Sequence, residues 1–320
     1  MIVITLIALA AGAASMLMFA SIISGALISL LLFSLAPLPL MVAAVGWSPL
    51  TAAIGGVAAT TTFGLLFGFS LAFEFATSIA LPAWWLSHLA MLGRSTPAAN
   101  GATGSAVVME WYPIGRLLLW IAGIGALLAL WSLLRIGTDS ETIAAAMKNG
   151  FAKVAGHFAQ SGYVIDDSLV DMMGALAPAV VATLPMIVLA VNLWLASKIA
   201  VTSGRLNRPW PDLKSTMLPP MTLVALCVAI AFCFVGGLPA LFAKVVTGAL
   251  LTAYGLTGLA VLHTLTLGSS SRTIWLVLIY AVTTVLMWPL FIMSVLGLAD
   301  ALFGFRERFM RTRPPPLPAA

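Results

Sequence analysis

The chain is a succession of long apolar runs parted by short polar breaks. A helix rises about 1.5 Å per residue, so about 20 mostly apolar residues cross a hydrocarbon layer of about 30 Å. By that measure helices are predicted over residues 2–20, 24–46, 49–68, 70–92, 113–135, 175–198, 217–237 and 245–267, with a further apolar run at 274–304. Only 93–112 and 136–174 are long connections. In lipid the backbone must satisfy its own hydrogen bonds, and the alternative of a closed barrel needs short alternating strands rather than continuous runs. The predicted fold is all-α: a polytopic integral membrane protein of about eight to ten transmembrane helices, some broken by proline. One membrane domain covers 1–305, and a basic, proline-rich tail covers 306–320.

Composition agrees with the pattern. Hydrophobic residues make up 62% of the chain and charged residues 8%, and the mean hydropathy is +1.11, more apolar surface than a soluble domain of this length can hide. No Lys or Arg precedes the first apolar run and no small-residue cleavage pattern follows it, so that run is predicted to stay as the first span rather than be removed as a signal peptide. Cys227 and Cys233 share one apolar helix, at a spacing that suits neither a zinc pair nor a disulfide framework.

Lys and Arg in short loops mark the cytoplasmic side. Lys198, Arg205, Arg208 and Lys214 form one such group, the tail arginines 306, 308, 311 and 313 a second, and Arg94 with Arg116 a third. The segment 138–174 is acidic, with Asp139, Glu141, Asp166, Asp167 and Asp171 against Lys148 and Lys153, and is predicted to face outward. These signs predict a cytoplasmic N-terminus. They also require 274–304, broken at Trp288-Pro289, to return as a two-helix hairpin if the tail is to be cytoplasmic; one kinked span is the alternative. In the acidic segment Ile143, Met147, Phe151, Val154 and Phe158 recur at helical spacing, Gly162 ends the predicted amphipathic helix, and Asp166-Asp167 offers a cap for the next one. Such a helix is either a lid over an opening or a segment lying on the membrane surface or across the span ends.

Irregular backbone at membrane depth is tolerated only inside protein or beside a cavity. Ala36-Pro37-Leu38-Pro39 interrupts the second predicted span, and Leu81-Pro82-Ala83-Trp84-Trp85 the fourth. Each break is either a simple kink or a pair of half-helix ends that present backbone groups to a ligand. Ionisable or strongly polar groups inside spans are costly and therefore candidates for ligand contact: Glu74, Asn192, His263 and Arg116. Interfacial placement or helix-to-helix hydrogen bonding accounts for the same residues. Gly64 and Gly68 form a GxxxG pair, and Gly55, Gly56, Gly248, Gly255 and Gly258 add small surfaces for helix contact, within the chain, with a second copy or with a protein partner.

No HExxH, GxSxG or P-loop pattern occurs, and His88, His157 and His263 fall on different elements, so no metal, cofactor or catalytic set is predicted. The net charge of +5 follows from topology, with the tail arginines placed against anionic lipid, and does not indicate nucleic acid.

The stretch from Gly258 to His263 and the stretch Gly297-Leu298-Ala299-Asp300-Ala301-Leu302-Phe303-Gly304-Phe305-Arg306 resemble the bacterial membrane-protein family called domain of unknown function 2232, also termed YybS-like. Leu35 to Pro39 ahead of Gly46-Trp47, and Asn192-Leu193-Trp194, fit the same pattern. The resemblance implies a distant similarity to the substrate-binding membrane subunits of energy-coupling-factor vitamin importers and to a rod-shape membrane protein. It carries over no ligand residue, and the extra spans and acidic segment depart from the compact importer subunit. Three classes result. Small-molecule binding or transport predicts an intramembrane cavity lined by Asn192, Glu74 and the broken second span; an envelope-assembly scaffold predicts a solid interior; an intramembrane enzyme lacks visible machinery.

Overall fold

The computed structural model describes residues 2–97, 107–160 and 166–311. The chain is an all-α polytopic membrane protein. Seven helical segments among the described residues are long and apolar enough to cross a membrane, and an eighth is added if Pro289–Phe303 and Phe305–Arg311, bent by 66°, count as one. Two packed units divide the chain, Met1–Ile124 with Pro185–Pro211 and Gly125–Leu184 with Asp212–Ala320.

The first unit begins with α1 (Ile2–Ala20), a 3-10 turn (Ser21–Ser24), α2 (Leu27–Ser34), α3 (Leu38–Gly46) and α4 (Pro49–Phe67). After α5 (Phe69–Phe75) a π-helical turn (Ala76–Ala80) leads into α6 (Leu81–Ala90). Two short antiparallel strands, β1 (Gly93–Pro97) and β2 (Val107–Trp111), then occupy the long connection expected over 93–112. Arg94 and Glu110 are cross-strand partners there, paired at 2.7 Å, with the β-branched Val107-Val108 in the second strand. The unit also takes the first part of α7 (Ile114–Leu134) and most of α10 (Thr183–Thr202).

Its core has two parts. Gly12 of α1 lies against the Gly55 carbonyl of α4, where a Cβ would overlap it, so only glycine permits this backbone approach. Beyond it Phe19, Phe33, Phe63 and Phe75 form an edge-and-tilt aromatic cluster, with ring centroids 5.3–5.9 Å apart. Gly68, predicted to share a GxxxG face with Gly64, instead ends α4 at φ 89°, which breaks the helix before α5.

The second unit is organised around α12 (Gly237–Leu265). Packed on it are α8 (Ser140–Gln160), α9 (Asp167–Val181), α11 (Met221–Phe232) and α14 (Pro289–Phe303). Added Cβ atoms on Gly248 and Gly258 would overlap the carbonyls of Ala179 and Met293, and one on Gly297 would overlap that of Tyr254. Side-chain hydrogen bonds hold the same contacts: Thr183 to Thr252 at 2.9 Å, and Ser294 Oγ to the Leu251 carbonyl at 2.7 Å.

Two regions differ from the sequence expectation, and the break expected at Trp288-Pro289 is present. The helix expected at 217–237 is α11, only 12 residues long, about 18 Å and too short to span. Gly236 and Gly237, at φ 85° and 61°, stop the chain's helical path there, and α12 begins eight residues before the expected start at 245. The expected span 175–198 is part of a 36-residue apolar segment, Asp167–Thr202, in which α9 ends at Val181 because Pro185 offers that carbonyl no donor. The run 274–304 divides at Met287, φ 54°, into α13 (Arg272–Leu286) and α14, with Pro289 in the first turn of the latter.

The amphipathic helix of the acidic segment is α8. It buries Ile143 fully and packs on α9 and α12; the side chains of Val154, His157 and Phe158, and Gly162, lie outside the described residues. Asp166 caps α9 as expected, its carboxylate accepting from the Ser168 amide, and Asp139 accepts from the Thr142 amide at 2.7 Å at the start of α8. Lys148 bonds Asp171 at 2.6 Å between the two helices. The tail beyond Arg311 lies outside the described residues.

Gly258→Ala is expected to destabilise the protein by roughly 1–3 kcal/mol, measured as loss of thermal stability in detergent, whereas Gly123→Ala, with open space at its Cβ, leaves it unchanged or improved. The hydrogen bonds from Ser168 and Thr142 hold the Asp166 and Asp139 carboxylates below their ordinary value of 3.8. A depressed carboxylate stabilises above its unfolded pKa, and this is lost as pH falls through the folded one. Bonding to Asp171, and its charge, raise Lys148 above 10.5, so that contribution is lost only at more alkaline pH. Protection factors of the amides in the first turns of α8 and α9, corrected for intrinsic exchange, should therefore be flat through neutral pH and fall below about pH 4.

Candidate functional site

The second span breaks because Pro37 and Pro39 carry no amide hydrogen. The Leu38 amide turns back to the Leu35 carbonyl at 2.9 Å, and the Ala36 amide to that of Phe33 at 3.1 Å. Helical carbonyls of Ser34 and Ala36 are thereby released inside the apolar layer. Two side chains from other helices answer them. Ser15 of α1 donates its hydroxyl to the Ala36 carbonyl at 2.6 Å, and Asn192 of α10 donates its amide to the Ser34 carbonyl at 2.8 Å and to Val188 at 2.7 Å. Ser15 is fully buried and Asn192 is 1% exposed. The Asn192 Oδ1 is also buried and has no partner among the described residues.

From this break an apolar groove of about 380 Å³ runs along α3, between Leu38, Val42 and Trp47 on one side and Ala10 of α1 and Ile199 of α10 on the others. Trp47 follows the last residue of α3, and Arg205 lies over its ring at 4.4 Å. The same short segment sets Lys198 over Trp210 at 4.3 Å and Arg208 near Trp111 at 5.9 Å. Arg208 is half-buried and gives its guanidinium to the Ala90 and Tyr112 carbonyls at 2.8 and 3.1 Å. Burial pulls its pKa down, although an arginine keeps its charge.

Neither a family model, nor a curated protein, nor a solved structure matches the chain.

Of the four residues singled out in the sequence, only Asn192 meets the broken second span. Glu74 lies half-buried in α5, where its carbonyl accepts the Ser78 hydroxyl, and it does not line the groove. Arg116 is exposed on α7. His263 belongs to the second unit and pairs its Nε2 with the Tyr280 hydroxyl at 3.0 Å.

The second unit holds a polar pair that the sequence reading overlooked. Asp300 of α14, 2% exposed, receives the Arg306 backbone amide at 2.9 Å and its Nε at 2.8 Å. Arg306 also donates Nη1 to the Lys214 and Thr216 carbonyls at 2.7 and 2.9 Å. A pocket of about 140 Å³ beside this pair is lined by Tyr254, Thr257 and Pro219 among others. The sequence clue was an aspartate inside an apolar run six residues ahead of an arginine, with Gly304 at φ 64° between them.

Replacing Asn192 by Ala leaves the Ser34 carbonyl unanswered in an apolar setting and is expected to cost about 0.6–2 kcal/mol. Resistance to unfolding in detergent measures it, and Asn192→Gln should recover less than the full loss because its amide sits one methylene farther out.

Proposed function

We propose that this membrane protein is a non-catalytic scaffold or accessory subunit of a bacterial inner-membrane assembly serving the cell envelope. One observation carries the reading: the carbonyls released at the proline break, where a transporter would hold its substrate, are engaged by the buried side chains of Ser15 and Asn192. The interior glycines support it as well, because their small surfaces are taken up by close backbone contact within each unit and leave little to rearrange. Ionisable groups at depth serve architecture in the same way, Asp300 with Arg306 and His263 with Tyr280. The likeness to the YybS-like family fits a bacterial inner-membrane setting, with the N-terminus and the arginine-rich tail in the cytoplasm by the charge rule.

A second reading, small-molecule binding or transport, is favoured by one atom: the buried, unpartnered Asn192 Oδ1 is an acceptor placed beside a broken helix. Cysteine accessibility separates the two. In a Cys227→Ala, Cys233→Ala background, Ser15→Cys should resist a membrane-impermeant maleimide in cells and in inverted vesicles, while Ser203→Cys, at an exposed turn on the cytoplasmic side by the charge rule, reacts in the inverted vesicles. Labelling of Ser15→Cys would mean that the break opens to water, and protection by an added solute would establish transport or binding in place of the scaffold.

A further inference from the structure

We propose that the groove along α3 is a specific site for an anionic phospholipid, with an acyl chain lying on Leu38, Val42, Ala10 and Ile199 and the phosphate held by Arg205 at the Trp47 end. The groove lining is almost wholly apolar and it opens to the outside of the unit, so its natural occupant is hydrocarbon rather than a polar solute. Leu38 and Val42, one helical turn apart on α3, line the groove, and Trp47, just past the end of that helix, lines it as well, so the apolar strip reaches the indole. Trp residues favour the headgroup level of a bilayer, so the strip ends where a lipid's polar part begins.

Charge selects the headgroup. Arg205 rests on the Trp47 ring, its stem passing Gly46, and no carboxylate lies within ion-pair distance of it among the described residues. Stacking occupies the face of the guanidinium and leaves its edge donors directed outward, the arrangement suited to a phosphate. Lys198, exposed and stacked on Trp210, adds positive potential nearby. Arg208 does not compete, because its donors are spent on the Ala90 and Tyr112 carbonyls. A site of this kind differs from general lipid contact in needing both parts, a chain-sized groove and an unpaired cation at one end.

Native mass spectrometry of the purified full chain tests it with two probes of identical acyl chains, phosphatidylglycerol and phosphatidylcholine. The wild type should retain phosphatidylglycerol preferentially. Arg205→Gln should reduce that preference about fivefold, while Arg116→Gln, another exposed arginine, leaves it intact. Ala10→Phe, at an exposed groove position, should reduce retention of both lipids. An unchanged preference in Arg205→Gln overturns the headgroup assignment, and unchanged retention in Ala10→Phe overturns the groove. Because both substitutions are at exposed positions, helical content and melting temperature should stay at the wild-type values, which separates loss of binding from loss of fold.

Discussion

A carbonyl released inside hydrocarbon has to be answered by the protein itself, and the shape of this chain follows from where its prolines release them. At Pro37 and Pro39 the answer comes from distant helices, Ser15 and Asn192. At Pro82 it is local: the turn before it widens to a π-helix, the Leu81 amide reaches back to Ala76, and Thr77 and Ser78 hydroxyls bond carbonyls one turn earlier. At Pro185 the helix simply ends at Val181, and within the second unit the Thr183 hydroxyl just past that end bonds the Thr252 hydroxyl of α12. Three proline sites thus give a broken span, a bulged span and a re-started span, according to which donors lie within reach.

The buried ion pair obeys the same constraint with charges in place of dipoles. Removing either partner of a buried pair strands the other, at about 3–5 kcal/mol, so Asp300 and Arg306 stand or fall together. Both carboxylate oxygens of Asp300 are used, and Arg306 extends the network to residues 214 and 216. The basic helix α15 (Phe305–Arg311) is thereby held at its 66° bend from α14, after the left-handed Gly304. By contrast, Glu307 with Arg311, largely exposed at 2.5 Å, contributes little to that bend.

What could be read from the sequence, and what could not, divides along the range of the interactions. Hydrophobic runs located α1, α4, α7 and most of α12, and the dipeptides Pro37-Leu38, Trp288-Pro289 and Asp166-Asp167 marked a break, a break and a cap, because proline and aspartate act on their own turn of chain. Helix limits inside an apolar run were not legible: α11 and α12 are divided by the positive φ angles of Gly236 and Gly237, while hydropathy is nearly uniform across them. Long-range pairs were beyond reach for another reason. Asn192 could be named as costly in a span, yet its partner is 158 residues away and is a backbone atom, which has no identity in a sequence. Asp300 was passed over because its apolar neighbours masked it, and Ser15 because a serine in a span ordinarily bonds its own helix.

The tight glycine contacts also limit how this protein can meet another. Lipid tails are as apolar as leucine, so exposed apolar side chains on spans provide no hydrophobic drive to associate, and close backbone approach at small residues is the usual substitute. Here Gly12, Gly55, Gly248, Gly255, Gly258 and Gly297 are already filled by contacts inside their own unit. The polar surface lies elsewhere, in the aromatic and basic stretch from Lys198 to Trp210 and in the acidic segment that holds Asp139, Glu141, Asp166, Asp167 and Asp171. These carry opposite charge, and Arg205 in the first forms no ion pair among the described residues. An assembly built on such surfaces is sensitive to ionic strength, whereas the packing within each unit, made of glycine contacts and buried hydrogen bonds, is not.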